Sequence, residues 1–362
     1  MSRYLKSIIS LSIPIIIQRL VFQVQSLTDK LFLGSLDTKY LSALGSSQFP
    51  FNTTLDSLVA LSTGIVIIVA NAFGAGKKKD IGETVSSALF YNSLISLVLM
   101  ALWLFGSNFI FTLLQVDADI KIYCIQYTQI CSIYFAVAGI DTTFQAFLQG
   151  MGKTWVILIG GLIKVVFNVF ISWVLIFGFW GFPALGIVGA GIGTLLANLL
   201  SCGFILGYCL LTQKKLLWSQ KERIHFLSIK PYQQGIKLGV PVALEYLIWN
   251  MSNLVLIGFL NSFSYVATAI FTLTTGIEVI AYAFYCGNAV STMTLIGQRL
   301  GAGKPEQGRQ LFWTCLVLNV VIVAFFVLLF IFAGKGLLGF FTKDIELIES
   351  AAPYLVWTGI IM

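Results

Sequence analysis

Charge is scarce in this chain. Asp, Glu, Lys and Arg make up only 10% of its 362 residues, against about 25% in soluble domains. That excludes an ordinary soluble domain, and a mean hydropathy of +0.91 with 58% hydrophobic residues shows what takes its place. Histidine is nearly absent. The single one, His225, stands in a basic stretch and reads as a solvated loop residue. There is no H-E-x-x-H, G-x-S-x-G or paired-Asp motif, so the sequence does not read as an enzyme. The six Cys (124, 131, 202, 209, 286 and 315) form no C-x-x-C and all fall within apolar runs. They read as small packing residues rather than disulfides or metal ligands. No loop is long enough for a soluble receptor domain. The first apolar run is too long for a signal-peptide core and has no A-x-A site after it.

What is present is long apolar segments. Ten runs stand out, at about 7–34, 47–73, 82–112, 120–148, 154–179, 185–211, 235–260, 265–298, 308–340 and 346–362. Every complete run exceeds the ~20 residues that span a bilayer as a helix, and no run shows the short alternation of a barrel strand. The expected class is an all-α polytopic membrane protein. Of the 22 Lys and Arg, fifteen fall on the side that holds the N-terminus, five on the other, and Arg19 and Lys164 within spans. The positive-inside rule therefore predicts a cytoplasmic N-terminus in the cell membrane. The net charge of +7 is a topology signal and implies no nucleic-acid partner.

An internal repeat runs through the chain at a constant offset. Pro14 and Pro241 are 227 residues apart, as are Gly74 and Gly301 of the two GAGK turns, Asp117 and Asp344, and Tyr127 and Tyr354. Tyr40 and Tyr265 slip to 225, which fits a short loop difference. Six spans per copy make the two repeats parallel, the arrangement of transporters that rock two halves around a central cavity. The expected organisation is a first lobe at 1–211, a basic cytoplasmic linker at 212–234 and a partial second lobe at 235–362. By the offset, Met362 matches Phe135 in the middle of span 4. About ten of twelve spans are thus expected, with the second repeat cut short.

The polar residues inside apolar runs need explaining, because a charge at membrane depth is expensive and marks function by default. In span 1, Gln18, Gln25 and Asp29 lie at i, i+7 and i+11, a single helical stripe, and Pro14 in the same helix permits a bend. The two Gln either glue helices together or line a path. Asp56 in span 2 faces either the cavity or the outer surface. In span 4, Tyr127, Tyr134, Asp141 and Gln145 form another stripe. Asp141 is either a second cavity acid or the ion-pair partner of Lys164. In span 5, Lys164, Asn168 and Ser172 follow at i, i+4 and i+8, offering neutral oxygens suited to Na⁺ or to supporting a carboxylate. Thr194 adds a hydroxyl in span 6. Glu245 in span 7 takes the repeat position of Gln18, and Glu278 in span 8 has a helix-packing alternative.

Together these residues resemble the multidrug and toxic compound extrusion (MATE) family. The resemblance rests on P-x14-D-x4-G (Pro14, Asp29, Gly34) followed by YLSALG, the GAGK turn, LQGMGKT at 148–154, N-x6-LIFG at 168–178 and GQRLGAGKPE at 297–306. It implies a V-shaped pair of six-helix lobes exporting small organic cations by alternating access, driven by Na⁺ or H⁺, with no other cofactor and as a monomer in the lipid bilayer. Asp29 then matches the span 1 acid of the first-lobe cation site, Asn168 its span 5 Asn, and Thr194 its span 6 Thr. Asp29 and Asn168 are the implied Na⁺ ligands. Fuller family sites have an Asp one turn after the Asn, where this chain has Ser172. Glu245 resembles the span 7 acid of second-lobe sites.

The mechanism expected is exchange in which Asp29 alternates between an ion-loaded state and one in which a drug competes for it. Phe and Tyr rings would hold cationic aromatic substrates. The alternative is a related flippase for lipid-linked oligosaccharide or polysaccharide. That reading wants several cavity cations, and only Arg19 and Lys164 qualify.

Overall fold

A computed structural model describes residues 2–214, 228–263, 265–339 and 345–361. His225 and the linker residues 215–227, Asp344 and Met362 lie outside them, so the expectations placed there have no structural counterpart. The described residues form eleven helices: α1 Ser2–Leu36, α2 Thr38–Gly74, α3 Lys78–Leu113, α4 Ala118–Ser132, α5 Phe135–Gly150, α6 Thr154–Phe177, α7 Ile187–Thr212, α8 Ile229–Phe263, α9 Tyr265–Gly301, α10 Pro305–Gly339 and α11 Ile345–Ile361. A helix falls on each apolar run. Seven of them are long and apolar enough to cross a membrane, or eight with α4 and α5 counted as one span bent by 53°. The fourth run is therefore broken at Ile133–Tyr134 rather than continuous. The helices outside that set are α8, which carries Lys230, Lys237 and Glu245, and α11, which has 17 residues.

Local chemistry sets the helix ends. The Asp37 carboxylate accepts from Lys39 N at 2.9 Å, and Asp117 caps α4 in the same way through Asp119 N. The two GAGK turns end α2 and α9 identically. Lys77 N donates to Ala72 O and Lys304 N to Arg299 O, both at 2.9 Å. The chain can turn there because Gly76 and Gly303 adopt φ +70° and +69°, which residues with a Cβ rarely reach.

Helix packing leaves the apolar surface outward, as a bilayer requires. Val24 and Leu31 on the back of α1 are 58% and 71% exposed, while Gln25 and Asp29 on the other face are buried. Two buried clusters fill the first half: Ile65, Val69, Phe144 and Phe147 toward the GAGK end, and Leu44, Phe51, Trp103 and Phe135 toward the other. A third joins Phe326, Phe330 and Leu355 of α10 and α11. A fourth, Ile8 with Leu295 and Leu311, ties α1 to α9 and α10.

The contacts between the halves recur at the sequence offset. A Cβ on Gly74 would strike the Gln298 backbone, and one on Gly301 the Asn71 backbone; each residue here stands 227 from its counterpart. A Cβ on Gly297 would stand 2.9 Å from Cβ of Ala70, its own counterpart. Ser12 Oγ meets Ser291 Oγ at 2.5 Å where α1 crosses α9. Their counterparts, Gly239 and Gly64, meet where α8 crosses α2: a Cβ on Gly64 would lie 2.9 Å from Gly239 N. Small residues allow these backbones to touch.

Candidate functional site

The packing of α1, α2, α4, α5, α6 and α7, together with Val290 of α9, leaves a cavity of about 430 Å³. Seven α1 residues line it, with Gln18, Gln25 and Asp29 on one stripe and Ile15, Arg19, Phe22 and Ser26 beside them. The span 4 stripe reaches the same space. Tyr127, Tyr134, Asp141 and Gln145 all line it despite the bend between α4 and α5. Lys164 enters from α6 and Thr194 from α7. Asp56 lines the cavity too and is solvent-accessible there, so of its two expected placements the inward one holds.

Asp141 and Lys164 are near but do not form the anticipated ion pair. The buried Asp141 carboxylate takes its hydrogen bond from the Tyr134 hydroxyl, O to O 2.5 Å. The Lys164 ammonium stands over the Phe22 ring, 4.8 Å from its centroid. From there it interacts electrostatically with three carboxylates, Asp141, Asp29 and Asp56. A cation shared among three acids and an aromatic face is held by none of them alone.

Asn168 and Ser172 sit one layer behind the cavity wall and are fully buried. Asn168 Nδ2 donates to Thr194 Oγ1 at 3.2 Å. The Ser172 hydroxyl packs against Gly193, whose missing side chain makes room for it. Asp29 Oδ1, Asn168 Oδ1 and Ser172 Oγ are all buried without a hydrogen-bond partner. Unpaired buried oxygens are costly, and hard oxygens of this kind are the donors Na⁺ takes. The donor types thus fit the implied ion, although no cluster of three or more His, Cys, Asp or Glu is found among the described residues.

Arg19 connects the cavity to the second half. Its guanidinium lies 5.7 Å from the centroid of the Tyr282 ring on α9 and interacts electrostatically with Tyr246 on α8. Tyr246 is the repeat counterpart of Arg19, 227 residues on. Glu245 is not brought to the site. It is exposed on α8 and lines no part of the cavity. Glu278 is half-buried on α9, also away from it.

Two polar stripes on the walls were not singled out in the sequence. Gln48 and Asn52 precede Asp56 at four-residue steps on α2, and Asn198 and Ser201 follow Thr194 on α7. The same spacing test that exposes the span 1 stripe would have found both.

Known proteins agree with this architecture. The model of the MatE family matches residues 14–174 and again 241–362, the two matches starting 227 residues apart. A probable multidrug resistance protein NorM of Thermotoga maritima is 25% identical over 360 residues, covering 95% of this chain and 74% of that protein. The uncharacterized transporter YisQ of Bacillus subtilis is 23% identical, covering 98% and 78%. Among solved structures, an outward-facing multidrug resistance MATE family transporter superposes with a TM-score of 0.88 at 18% identity, covering 98% of this chain and 80% of that one. A MOP superfamily transporter of Pyrococcus furiosus, described as having a binding pocket of reverse polarity, superposes with a TM-score of 0.86 at 19% identity, covering 98% of this chain and 80% of that one. With the family model matched over most of its length, the chain belongs to the MatE family of membrane transporters.

Proposed function

We propose that this transporter is a secondary antiporter that exports small organic cations and drugs from the cytoplasm in exchange for Na⁺ or H⁺. The observation that carries the reading is the joining of Asp29, Asp56 and Asp141 with aromatic and amide groups in one cavity. Carboxylates draw a cation in, and the rings of Phe22, Tyr127 and Tyr134 can pack on its aromatic body. The relatives named multidrug resistance proteins fit this function. Asp29 is the coupling residue. Asn168, Ser172 and Thr194 position it and offer the remaining oxygens, with Asp29 and Asn168 the residues that would hold Na⁺. Either ion would supply one positive charge beside the Asp29 carboxylate.

Coupling follows from competition. A charged Asp29 favours the substrate, and an ion loaded from outside cancels that charge and weakens the hold on it. The Pro14 helix carries the change outward, because α1 lines the cavity and also packs on α9 through Ser12. We read the fold as two parallel six-helix repeats in a V, with lobes at 1–211 and 235–362 joined by the linker at 212–234, the N-terminus cytoplasmic and the protein a monomer in the cell membrane. The offset-related contacts at Gly74, Gly301 and Ala70 support the repeat. A lipid-linked-sugar flippase is disfavoured, because the cavity's three acids outnumber its two cations.

The test is ethidium efflux from energised cells expressing the wild type or Asp29→Asn, under separate Na⁺ and H⁺ gradients. Export by the wild type and not by the variant is expected, and the driving gradient names the ion. Equal export by both would remove Asp29 from the mechanism.

A further inference from the structure

Five charged residues line the cavity among the described residues: Asp29, Asp56 and Asp141 against Arg19 and Lys164. The two cations are built into the wall. Lys164 is fixed on α6 over Phe22, and Arg19 is tied to Tyr246 and Tyr282. With all five ionised, their two charges offset two of the three acid charges before any ligand arrives. We propose that Lys164 and Arg19 set the fixed charge of this cavity at minus one, so that it admits a single positive charge at a time: one monocationic substrate or one coupling ion, exchanged one for one. This rests on the antiport reading above and adds to it the charge of the substrate and the stoichiometry.

The physical reason is the cost of a second cation. Inside a cavity of about 430 Å³ an added charge has nowhere far from Lys164 to go. At an effective dielectric constant of about 20, an uncompensated like charge roughly 6–10 Å away weakens binding by about ten- to a hundred-fold. A dication would meet that penalty, and so would a substrate entering beside a loaded ion. Lys164 and Arg19 are thus selectivity residues, acting on the ligand through the charge they leave uncancelled. A cavity of this volume still accommodates a drug-sized ring system.

Ethidium and propidium provide the probe, since they share one phenanthridinium ring system and carry one and two positive charges. Equilibrium binding to the purified protein would be followed by dye fluorescence polarisation at constant pH. The wild type is expected to bind ethidium at least tenfold more tightly than propidium. Lys164→Gln removes one counter-charge and should shift that ratio toward propidium by about tenfold or more. Lys164→Arg keeps the charge and should keep the wild-type ratio. Arg19→Gln removes the other counter-charge and should shift the ratio in the same direction, which keeps the test open if Lys164→Gln does not fold. A ratio unchanged in both neutral variants, or equal binding of the two dyes by the wild type, overturns the charge limit and leaves the export reading standing. Binding of neither dye by the wild type refutes the organic-cation reading, and the charge limit with it. In proteoliposomes, one-for-one exchange of ethidium should not respond to an imposed K⁺ diffusion potential; a potential-dependent rate overturns the stoichiometry.

Discussion

Replacing Gly74 by Ala tests the joint between the halves. The perturbation is one methyl group, but it enters a backbone-to-backbone crossing. The new Cβ would stand 2.7 Å from Cα of Gln298 and closer still to its carbonyl oxygen. A carbonyl in a helix cannot rotate away as a side chain can, so α2 and α9 must part by about an ångström. Overpacking of this kind costs about 1–3 kcal/mol. Gly301→Ala forces the same separation from the other side, its Cβ standing 2.7 Å from the Asn71 carbonyl carbon. One separation relieves both clashes, so the double variant should cost clearly less than the sum of the singles. Gly45→Ala is the control. A Cβ there meets nothing within 4 Å, and an Ala in a helix interior should stabilise by about 0.5–1 kcal/mol. Thermal unfolding in detergent reads the stability, and ethidium efflux reads the function. Gly74→Ala at wild-type stability, or a double variant as costly as the two singles added, would refute the tight crossing.

Other predictions follow from the site. Tyr134→Phe removes the hydroxyl that serves Asp141; it should lower stability by about 1.5–3 kcal/mol, checked by thermal unfolding. Asn92 is fully buried, its Nδ2 donating to Ser62 and Thr143 and its Oδ1 accepting from the Tyr232 hydroxyl at 2.9 Å. Asn92→Leu leaves the buried Tyr232 hydroxyl without its acceptor, while Ser62 and Thr143 still donate to Leu58 O and Gly139 O, and it should cost about 1–3 kcal/mol. Gly193→Ala puts a Cβ 2.9 Å from Ser172 N and closer to its hydroxyl; it should weaken ion-driven efflux while Gly203→Ala, with open space around it, leaves efflux unchanged. Glu245→Gln should leave efflux as it is, because Glu245 is exposed and off the cavity.

The sequence made the spans and the span 1 stripe legible because both are properties of one helix. Apolar length and the spacing of Gln18, Gln25 and Asp29 need no knowledge of neighbours. The same holds for the GAGK turns, where Gly76 and Gly303 announce a left-handed turn. What depended on packing was less visible. The break after Ser132 leaves no Pro or Gly as a marker. The role of Asn92 needs three other helices to bring its partners in. Asp141 and Lys164 could be placed near each other from sequence, but the nearer hydroxyl of Tyr134 took the hydrogen bond. Glu245 occupies the repeat position of Gln18, and position in a repeat does not fix exposure: Gln18 lines the cavity while Glu245 stays outside.

That last contrast separates what a duplicated fold keeps from what it loses. Residues where the copies touch, such as Gly74 with Gly301 and Ala70 with Gly297, are small in both halves, because a larger residue in either would push both apart. The cavity carries no such mutual constraint. The counterpart of Asp29 is Leu256 at an offset of 227 and Leu254 at 225, and that of Asp56 is Ala283 or Ala281. Of the five charged cavity residues, Arg19 is the one whose interactions reach the second half, at Tyr246 and Tyr282. The charge is therefore concentrated in the first half, on a scaffold whose crossings are still shared. Moving one acid across, with Ala283→Asp in an Asp56→Ala background, should fail to restore efflux, because Ala283 is buried and does not line the cavity that holds Asp56. Restored ethidium efflux in that double variant would show that position 283 also reaches the substrate path and that the asymmetry is only one of sequence.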